Sequence, residues 1–428
     1  MDSKNLIASL ENGAFDDVFA RLYGQQNIAK QRERYSGAVR EFVALYGDSD
    51  NIRLFSAPGR TEIGGNHTDH NHGCVVAASV NLDVIAVAAP QEGTLVHVKS
   101  EGFPEDMVDI SYLVKDVDEI NRSASLIRGV AAGFEGEGLR IGGFNAYTTS
   151  NVLKGSGLSS SAAFEVLLGT ILSHLYNGGS VSPVKIAQIA QFAENMFFGK
   201  PSGLMDQMAS SVGGIITIDF KDTKKPVIQE IDYDFAKSGC TLCIVDVGGD
   251  HADLTHEYAA IPAEMRQVAE LLGCEYLRET TLEQLLARLP EIREKAGDRA
   301  ALRAMHFLKE NDRVDGMVKA LNHKDFQAFC NYVNQSGESS YQYLQNVYCS
   351  SNVREQPMSV ALCLADHLLR GRGAWRVHGG GFGGTIQCFV PAEMTENFQQ
   401  TMESVFGQGS CHILSIRQAG GVELVCGQ

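Results

Sequence analysis

Residues 57–73, called the polar stretch below, constrain the fold more than any other part of the chain. After Pro58 the stretch holds one Arg, one Glu, one Asp, three His and four Gly, and mostly apolar runs at residues 52–57 and 74–80 flank it. A core cannot bury so many polar groups unless they are paired. We therefore predict a loop between two strands that presents its side chains to a small polar ligand.

A second run, Gly155-Ser-Gly-Leu-Ser-Ser-Ser-Ala-Ala163, is called the serine-rich loop. It lies between a predicted strand at 143–150 and an apolar, buried helix at 164–175. Glycines let backbone amides turn towards an anion, and a helix N-terminus attracts negative charge. The run lacks the Gly-Lys-Ser/Thr of a Walker A loop. Taken alone, it slightly favours an ordinary Ser-rich helix cap over a phosphate site.

Residues 379–384, called the glycine loop, separate two predicted strands and contain five glycines. A hairpin turn needs fewer, so close approach of the backbone to a ligand is expected. Three further residues have ordinary alternative explanations. Asp206 is in the first turn of a helix, where the dipole alone favours a carboxylate, and Glu194 and Tyr258 could be ordinary helix residues.

Together these segments resemble galactokinases, within the GHMP small-molecule kinase superfamily. The polar stretch is similar to the sugar-binding signature Gly-Arg-Val-Asn-Leu-Ile-Gly-Glu-His-Thr-Asp-Tyr-Asn-x-Gly, matching at Arg60, Gly65, His67, Thr68, Asp69, Asn71 and Gly73. The serine-rich loop resembles Gly-x-Gly-Leu-Ser-Ser-Ser-Ala. Residues 199–207 resemble Gly-x-x-Ser/Cys-Gly-x-Met-Asp-Gln, and the glycine loop resembles Gly-Ala-Gly-Phe-Gly-Gly. The motifs keep the family order over residues 52–390.

The resemblance implies an α+β fold of two lobes with the active site between them. The N-lobe would be ribosomal-protein-S5-like and the C-lobe ferredoxin-like. We expect a helical extension at residues 1–28, an N-terminal domain at 29–220 and a C-terminal domain at 221–428. The polar segment 221–226 is the candidate boundary.

The resemblance also implies the reaction and the residues that perform it. ATP would phosphorylate the anomeric C1 hydroxyl of galactose, with Asp206 and Arg60 as catalytic residues and Mg²⁺ held by Ser160 and Glu194. The sugar would contact Glu62, Asn66, His67, Asp69, Gly203 and Tyr258. The ATP phosphates would contact Gly155, Ser156, Gly157, Leu158, Ser159, Ser160 and Ser161. Gly380, Gly381 and Gly383 would close the site from the C-terminal lobe.

The sequence departs from the family pattern at two sugar-facing positions. Glu62 replaces an Asn, and Asn66 replaces the Glu that contacts the sugar around its 6-hydroxyl. An amide lacks the charge that repels a carboxylate, so galacturonate, N-acetylgalactosamine and L-arabinose remain alternative substrates. The usual Trp-x-Asn-Tyr of the nucleotide region is replaced by Ser123-Ala-Ser-Leu126, which leaves the adenine contacts open.

Two other classes of protein are alternatives. The histidines of residues 67–72 and 250–256 could ligate a transition metal in a hydrolase, but the Gly and Ser motifs would then have no purpose. A non-catalytic sugar sensor on the kinase fold is the other alternative. The presence of Arg60, Ser160, Glu194 and Asp206 argues against it.

Charge and cysteine usage limit the partners. The chain has 36 Lys and Arg against 52 Asp and Glu, a net charge of −16, which repels nucleic acids and anionic membranes. No signal peptide or membrane-spanning segment is expected, and the ten scattered cysteines are most simply free thiols. We expect a cytoplasmic monomer whose partners are the sugar and ATP.

Overall fold

The computed structural model describes residues 1–152, 157–200, 202–248, 255–349 and 352–427. The helices are α1 (Ser3–Glu11), α2 (Asp16–Tyr23), α3 (Ile28–Tyr46), α4 (Ser123–Gly136), α5 (Ser160–Tyr176), α6 (Pro183–Phe192), α7 (Met205–Val212), α8 (Thr255–Leu272), α9 (Leu282–Ala287), α10 (Leu289–Lys295), α11 (Asp298–Asn322), α12 (Phe326–Ser339), α13 (Pro357–Leu369) and α14 (Thr395–Phe406). The strands are β1 (Arg53–Gly64), β2 (Cys74–Pro90), β3 (Leu95–Ser100), β4 (Glu105–Asp109), β5 (Phe144–Ser150), β6 (Ile215–Asp219), β7 (Val227–Ile231), β8 (Cys240–Gly248), β9 (Ala374–His378), β10 (Gly384–Pro391), β11 (Cys411–Leu414) and β12 (Val422–Leu424).

The larger sheet has the order β12-β1-β2-β5-β3-β4, and β6 joins the free part of β2 with β7 beyond it. Strand β2 is long enough to pair with β1, β5 and β6. Side chains alternate between its faces, as a strand requires. Val84 and Ala86 pack in the core under α4 and α5, whereas Ile85 and Val87 pack in the core under α1–α3.

A buried polar cluster ties the N-terminal helices to this sheet. Tyr23 donates a hydrogen bond to the Asp83 carboxylate at 2.6 Å, and Arg34 and Arg417 reach the same carboxylate at 2.6 and 3.1 Å. Burial opposes ionisation of Asp83, but the two guanidinium groups hold its pKa below the usual value. The predicted helical extension is therefore packed against the body of the protein.

The smaller sheet has the order β11-β8-β10-β9 and is antiparallel throughout. Helices α13 and α14 cover one face with an apolar core. The antiparallel pair β9–β10 presents the glycine loop between its strands, as predicted. The two sheets with their helices form the α+β arrangement that the sequence predicts.

Two predictions about strands were wrong. The polar stretch begins inside β1, which continues to Gly64, so Arg60 and Glu62 are strand residues rather than loop residues. Pairing with β2 sustains the strand through two register shifts, because the polar side chains find buried partners. The apolar patterns at residues 80–90 and 95–99 predict that these two segments form a hairpin, but strand β3 instead pairs with β4 and in parallel with β5.

Two strands from beyond residue 220 belong to the larger sheet. Strand β7 pairs with β6, and β12, near the end of the chain, pairs with β1. Both strands follow the predicted boundary but belong to the sheet that precedes it. The division of the chain into domains at 220/221 therefore remains a proposal. Within the described residues, no helix is long and apolar enough to cross a membrane.

Candidate active site

A cavity of about 310 Å³ lies between the polar stretch, the start of α7, α8 and the glycine loop. Its lining includes both predicted catalytic residues and all six predicted sugar contacts, namely Arg60, Asp206, Glu62, Asn66, His67, Asp69, Gly203 and Tyr258. These residues come from both halves of the chain. The structure thus brings together the residues that the sequence assigned to one site.

Arg60 and Asp206 form an ion pair at the cavity wall. Arg60 Nε donates to Asp206 Oδ1 at 2.7 Å, and the Arg60 side chain is 8% exposed. Ser159 Oγ donates to the other carboxylate oxygen. Both oxygens of Asp206 therefore have protein partners, and Ser159, predicted only as a phosphate contact, is one of them.

The ionisation of Asp206 follows from these contacts. Burial alone would raise its pKa, but the charge and hydrogen bond of Arg60 and the hydroxyl of Ser159 hold the pKa below the usual value. The side chain remains 31% exposed because it faces the cavity. At neutral pH it is a carboxylate and a weak base.

Glu62 and Asn66, the two departures from the family pattern, contact each other. Asn66 Nδ2 donates to Glu62 Oε1 at 3.0 Å, and Arg376 Nη2 donates to the same oxygen at 2.8 Å. Burial raises the pKa of Glu62, and the charge of Arg376 opposes that rise. Arg376 lies on β9, and sequence reasoning missed it because 314 residues separate it from Glu62.

The glycine loop meets the polar stretch through its carbonyl groups. Gly379 O accepts from Asn66 at 2.7 Å, Gly380 O lies 2.8 Å from His67 Nε2, and Gly381 O accepts from Tyr258 at 2.6 Å. A carbonyl only accepts, so Nε2 of His67 carries the proton. Burial lowers the pKa of His67 to about 4, which makes its ring neutral at pH 7 and leaves Nδ1 as an acceptor.

The predicted glycines occupy different positions in this loop. Gly380 lines the cavity, whereas Gly381 faces Asn346, whose carbonyl oxygen a Cβ on Gly381 would overlap. Gly383 is buried and does not line the cavity. Gly203 faces Asp69 so closely that a Cβ there would overlap the carboxylate.

The described part of the serine-rich loop leads directly into α5. The amide of Arg60 donates to Leu158 O at 3.0 Å, and the Arg60 side chain reaches Gly157 O. Ser159 has a left-handed backbone with φ of 55°, an uncommon conformation for a residue other than Gly. The predicted phosphate contacts Gly155 and Ser156 lie outside the described residues.

A second cavity, of about 550 Å³, opens beside Ser160 and Ser161. The rest of its wall includes Glu101, directly after β3, Asp106 on β4 and Ser123 at the start of α4. Ser123 lies in the segment that departs from the family pattern. The sequence could not predict the other two, because nothing in it shows that β3 and β4 lie beside this loop.

Glu194 is 2% exposed and lies in a wide helical turn, residues 193–198, that follows α6. Its oxygens accept from Lys200 at 3.1 Å, Ser202 at 2.6 Å and Gln207 at 2.7 Å, and Ser161 lies at 3.4 Å. The cationic Lys200 side chain is 58% exposed. A buried carboxylate beside a helix-start hydroxyl, already facing a cation, fits the oxygen ligands that Mg²⁺ prefers.

Within the described residues, no group of three or more His, Cys, Asp or Glu could hold a metal ion. The acidic and histidine residues at 250–253, part of the hydrolase alternative, lie outside them. His256 is described, and its side chain is 69% exposed.

Comparisons with known proteins identify relatives of this chain. The galactokinase galactose-binding signature matches residues 40–90, and the GHMP kinases N terminal domain matches residues 125–214. The galactokinase of Streptomyces coelicolor is 30% identical over 377 residues, covering 87% of this chain and 94% of that protein. The galactokinase of Thermotoga petrophila is 31% identical over 337 residues, covering 77% of this chain and 87% of that protein.

Solved structures share the fold. The crystal structure of Lactococcus lactis galactokinase complexed with galactose matches with a TM-score of 0.77 and 24% identity, covering 91% of this chain and 99% of that one. Methanococcus jannaschii mevalonate kinase matches with a TM-score of 0.60 and 13% identity, covering 86% and 99%. These sequence relatives show that the chain belongs to the galactokinase family of GHMP kinases and is a sugar kinase that uses ATP.

Proposed function

We propose that the protein transfers the γ-phosphoryl group of ATP to the C1 hydroxyl of galactose, giving galactose 1-phosphate and ADP. The observation that carries this proposal is the Arg60–Asp206 pair. It lines the sugar cavity and is bonded to the serine-rich loop through Gly157 and Ser159. A hydroxyl bound in the cavity would therefore lie beside both the carboxylate and the phosphate-binding loop.

Asp206 acts mainly by orienting the sugar hydroxyl. Because its pKa is lowered and both its oxygens are already hydrogen bonded, it is too weak a base to remove the proton early. The transition state of phosphoryl transfer is largely dissociative. The hydroxyl becomes acidic only as the new bond forms, so Asp206 accepts the proton late.

Arg60 stabilises the charge on the transferred group. Its side chain uses Nε for Asp206 and Nη1 for Gly157 O. Among the described residues, no hydrogen bond engages Nη2, which leaves donors for phosphate oxygens. Fixed donors near developing charge are the usual source of catalysis in this reaction class.

We assign a Mg²⁺ site to Glu194 and the hydroxyls at the start of α5, Ser160 and Ser161. When bound there, the ion would supply charge neutralisation for the ATP phosphates. Lys200 would move away from Glu194 as the ion arrives. The cavity beside Ser160 and Ser123 is the proposed site of the nucleotide base and ribose.

The cellular compartment and the oligomeric state of the enzyme are also proposals. All ten cysteines are free, and Cys363 and Cys426 are exposed, which suits a reducing compartment such as the cytoplasm. We propose a monomer, which light scattering at working concentration would check. A mass of twice 46.4 kDa would contradict it.

A coupled assay of ADP release over a sugar panel tests the function. Galactose should stimulate ADP release more than galacturonate, N-acetylgalactosamine or L-arabinose. If galactose binds but no sugar stimulates ADP release, the protein is a sugar sensor. If metal analysis of the purified protein finds stoichiometric, tightly bound zinc, the result would instead support the alternative of a metal-dependent hydrolase.

A further inference from the structure

The side chain of Asn66 has no unused hydrogen-bonding group for a sugar. Its two amide hydrogens go to Glu62 Oε1 and Gly379 O, at 3.0 and 2.7 Å. Its oxygen accepts from Ser340 at 3.2 Å and from Asn346 at 2.8 Å. An amide offers two donor hydrogens and two acceptor sites, and all four are taken within the protein. Asn66 is also fully buried.

Glu62 has the opposite property. Arg376 and Asn66 both bond its Oε1, and among the described residues no donor reaches Oε2. Glu62 lines the sugar cavity and is 5% exposed. One oxygen is therefore held in place by protein groups, and the other is an acceptor available to a ligand.

Arg376 fixes the position of this carboxylate. Its guanidinium also donates to Ile63 O at 2.7 Å and to Val377 O at 3.0 Å, and it is fully buried. A guanidinium held by two backbone carbonyls cannot follow a moving partner. Glu62 is consequently presented in one orientation, from a site that joins β1 to β9.

We propose that Glu62, oriented by Arg376 and Asn66, binds the C6 hydroxyl of the sugar in place of residue 66. The enzyme therefore accepts neutral sugars and rejects uronates. This inference rests on the proposed function, because it concerns the same sugar cavity. Asn66 is a positioning residue. The exchange of residue types at 62 and 66 thus moves the carboxylate without removing it.

The charges in the cavity support rejection of a uronate. Glu62, Asp69 and Asp206 line it, whereas its lining cations Arg60 and Lys200 are paired with Asp206 and Glu194. A carboxylate at C6 would meet Glu62 Oε2 without a donor between them, and close like charges are unfavourable where water is largely excluded. A hydroxyl at C6 instead donates to that oxygen.

The first experiment uses the unaltered enzyme. Isothermal calorimetry compares galactose, galacturonate and galacturonamide, whose amide has the shape of the acid without its charge. The inference predicts that galacturonamide binds at least roughly 10-fold more tightly than galacturonate, since a hydrogen bond to a charged group is worth at least that factor. Equal binding of the acid and the amide would overturn it.

The second experiment replaces Glu62 by Gln, with Glu119→Gln as the matched control. Glu119 pairs with Arg128 at 2.6 Å away from the cavity. In Glu62→Gln, the KM for galactose should rise roughly 10- to 100-fold, and the preference for galactose over galacturonate should shrink. The control should keep both values. An unchanged sugar ranking in a folded Glu62→Gln variant would refute the assignment.

Measurements of binding and of turnover distinguish a failure of the proposed function from a failure of this inference. If no sugar stimulates ADP release, the proposed function fails, but the calorimetric ranking of the acid and the amide still tests rejection of uronates, and galactose binding to Glu62→Gln still tests the role of Glu62. If galactose is phosphorylated and galacturonate equally well, the function stands and this inference fails. If Glu62→Gln does not fold, the comparison on the unaltered enzyme remains decisive.

Discussion

Each oxygen of the Asp206 carboxylate has its own protein partner, and this determines how the residue can act. Arg60 holds one oxygen and Ser159 the other. A carboxylate fixed in this way keeps its charge at neutral pH and its orientation towards the cavity. Its main contribution is therefore to position the sugar hydroxyl.

We expect Asp206→Asn to lower kcat by roughly 100- to 10,000-fold, the range for loss of a positioned acid–base group. Binding of ATP should persist, because within the described part of the loop Asp206 forms a hydrogen bond only with Ser159. Steady-state kinetics and nucleotide calorimetry measure the two effects. Asp315→Asn is the control, since Asp315 is exposed and pairs with Lys319 on the surface. Turnover within a few-fold of the unaltered enzyme would remove Asp206 from the mechanism.

His306 makes stability depend on pH. It is fully buried between Ser339 and the backbone of Asn66, with Glu310, Arg313 and Arg376 nearby. Burial lowers its pKa to about 4 from 6.5. Between these values the unfolded chain binds a proton that the folded protein does not. The stabilisation is therefore complete above pH 6.5 and is lost as the pH falls towards 4.

The lowered pKa of His306 contributes about 3 kcal/mol at most to the free energy of unfolding. Urea unfolding at several pH values should show a free energy of unfolding that rises from pH 4 to 6.5. Because glutamine does not titrate, the slope should be smaller in His306→Gln. His323→Gln is the control, since that histidine lies on the surface. Identical slopes in His306→Gln and the unaltered protein would contradict this explanation.

At the scale of elements, the glycine loop closes the cavity with its carbonyl groups. Only a backbone without side chains can pass so close to Asn346, because a Cβ on Gly381 would overlap the Asn346 carbonyl oxygen. Gly379 and Gly380 also contact Asn66 and His67 of the polar stretch, so a displaced loop would disturb these contacts. The β9–β10 pair carries this constraint into the smaller sheet.

Gly381 has a φ of 86°, so Gly381→Ala should add overpacking of about 1–3 kcal/mol to the strain of a positive φ, and should raise the KM for the sugar as the loop shifts. Gly371→Ala is the matched control. Its φ is also positive, at 77°, but its Cβ would meet nothing within 4 Å, so only about 1–2 kcal/mol of backbone strain is expected. Thermal unfolding and sugar kinetics compare the two. A KM in Gly381→Ala equal to that of the control would contradict the closure role.

The sequence predicted much of this arrangement, and the failures have a common cause. Local signals correctly located the buried helix after the serine-rich loop, which is α5, and the strands around the glycine loop. Strand pairing depends on distant segments, so the sequence could not show that β1 extends through Arg60 or that β3 pairs with β5. Arg376 was missed for the same reason, because its partner Glu62 lies far away in the chain.

At the scale of the molecule, the N-terminal helices are part of the folded body. Leu10, Phe19 and Tyr23 are buried in the core that α1–α3 share with β1 and β2. Removing α1 and α2 would expose their side of this core and break the hydrogen bond between Tyr23 and Asp83. The N-terminal helices lie on the sheet face opposite α4 and α5. Arg60 is on β1 of the same sheet.

Deletion of residues 1–24 should cost several kcal/mol, since each large apolar side chain contributes about 2 kcal/mol on burial. Tyr23→Phe is the graded comparison. It keeps the ring but removes the donor to Asp83, and should cost about 1–3 kcal/mol. Calorimetric melting of both variants measures the difference. A truncated protein that melts with the full-length chain would show that the helices are a separate extension.

The most direct test of the central claim is the position of the transferred phosphate. Galactose labelled with ¹³C at C1 is incubated with the enzyme, ATP and Mg²⁺, and the product is followed by ¹³C and ³¹P NMR. The proposed reaction predicts that the labelled carbon couples to phosphorus, with one ADP formed per sugar phosphate. Phosphorus on any other carbon, or no sugar phosphate at all, would contradict it.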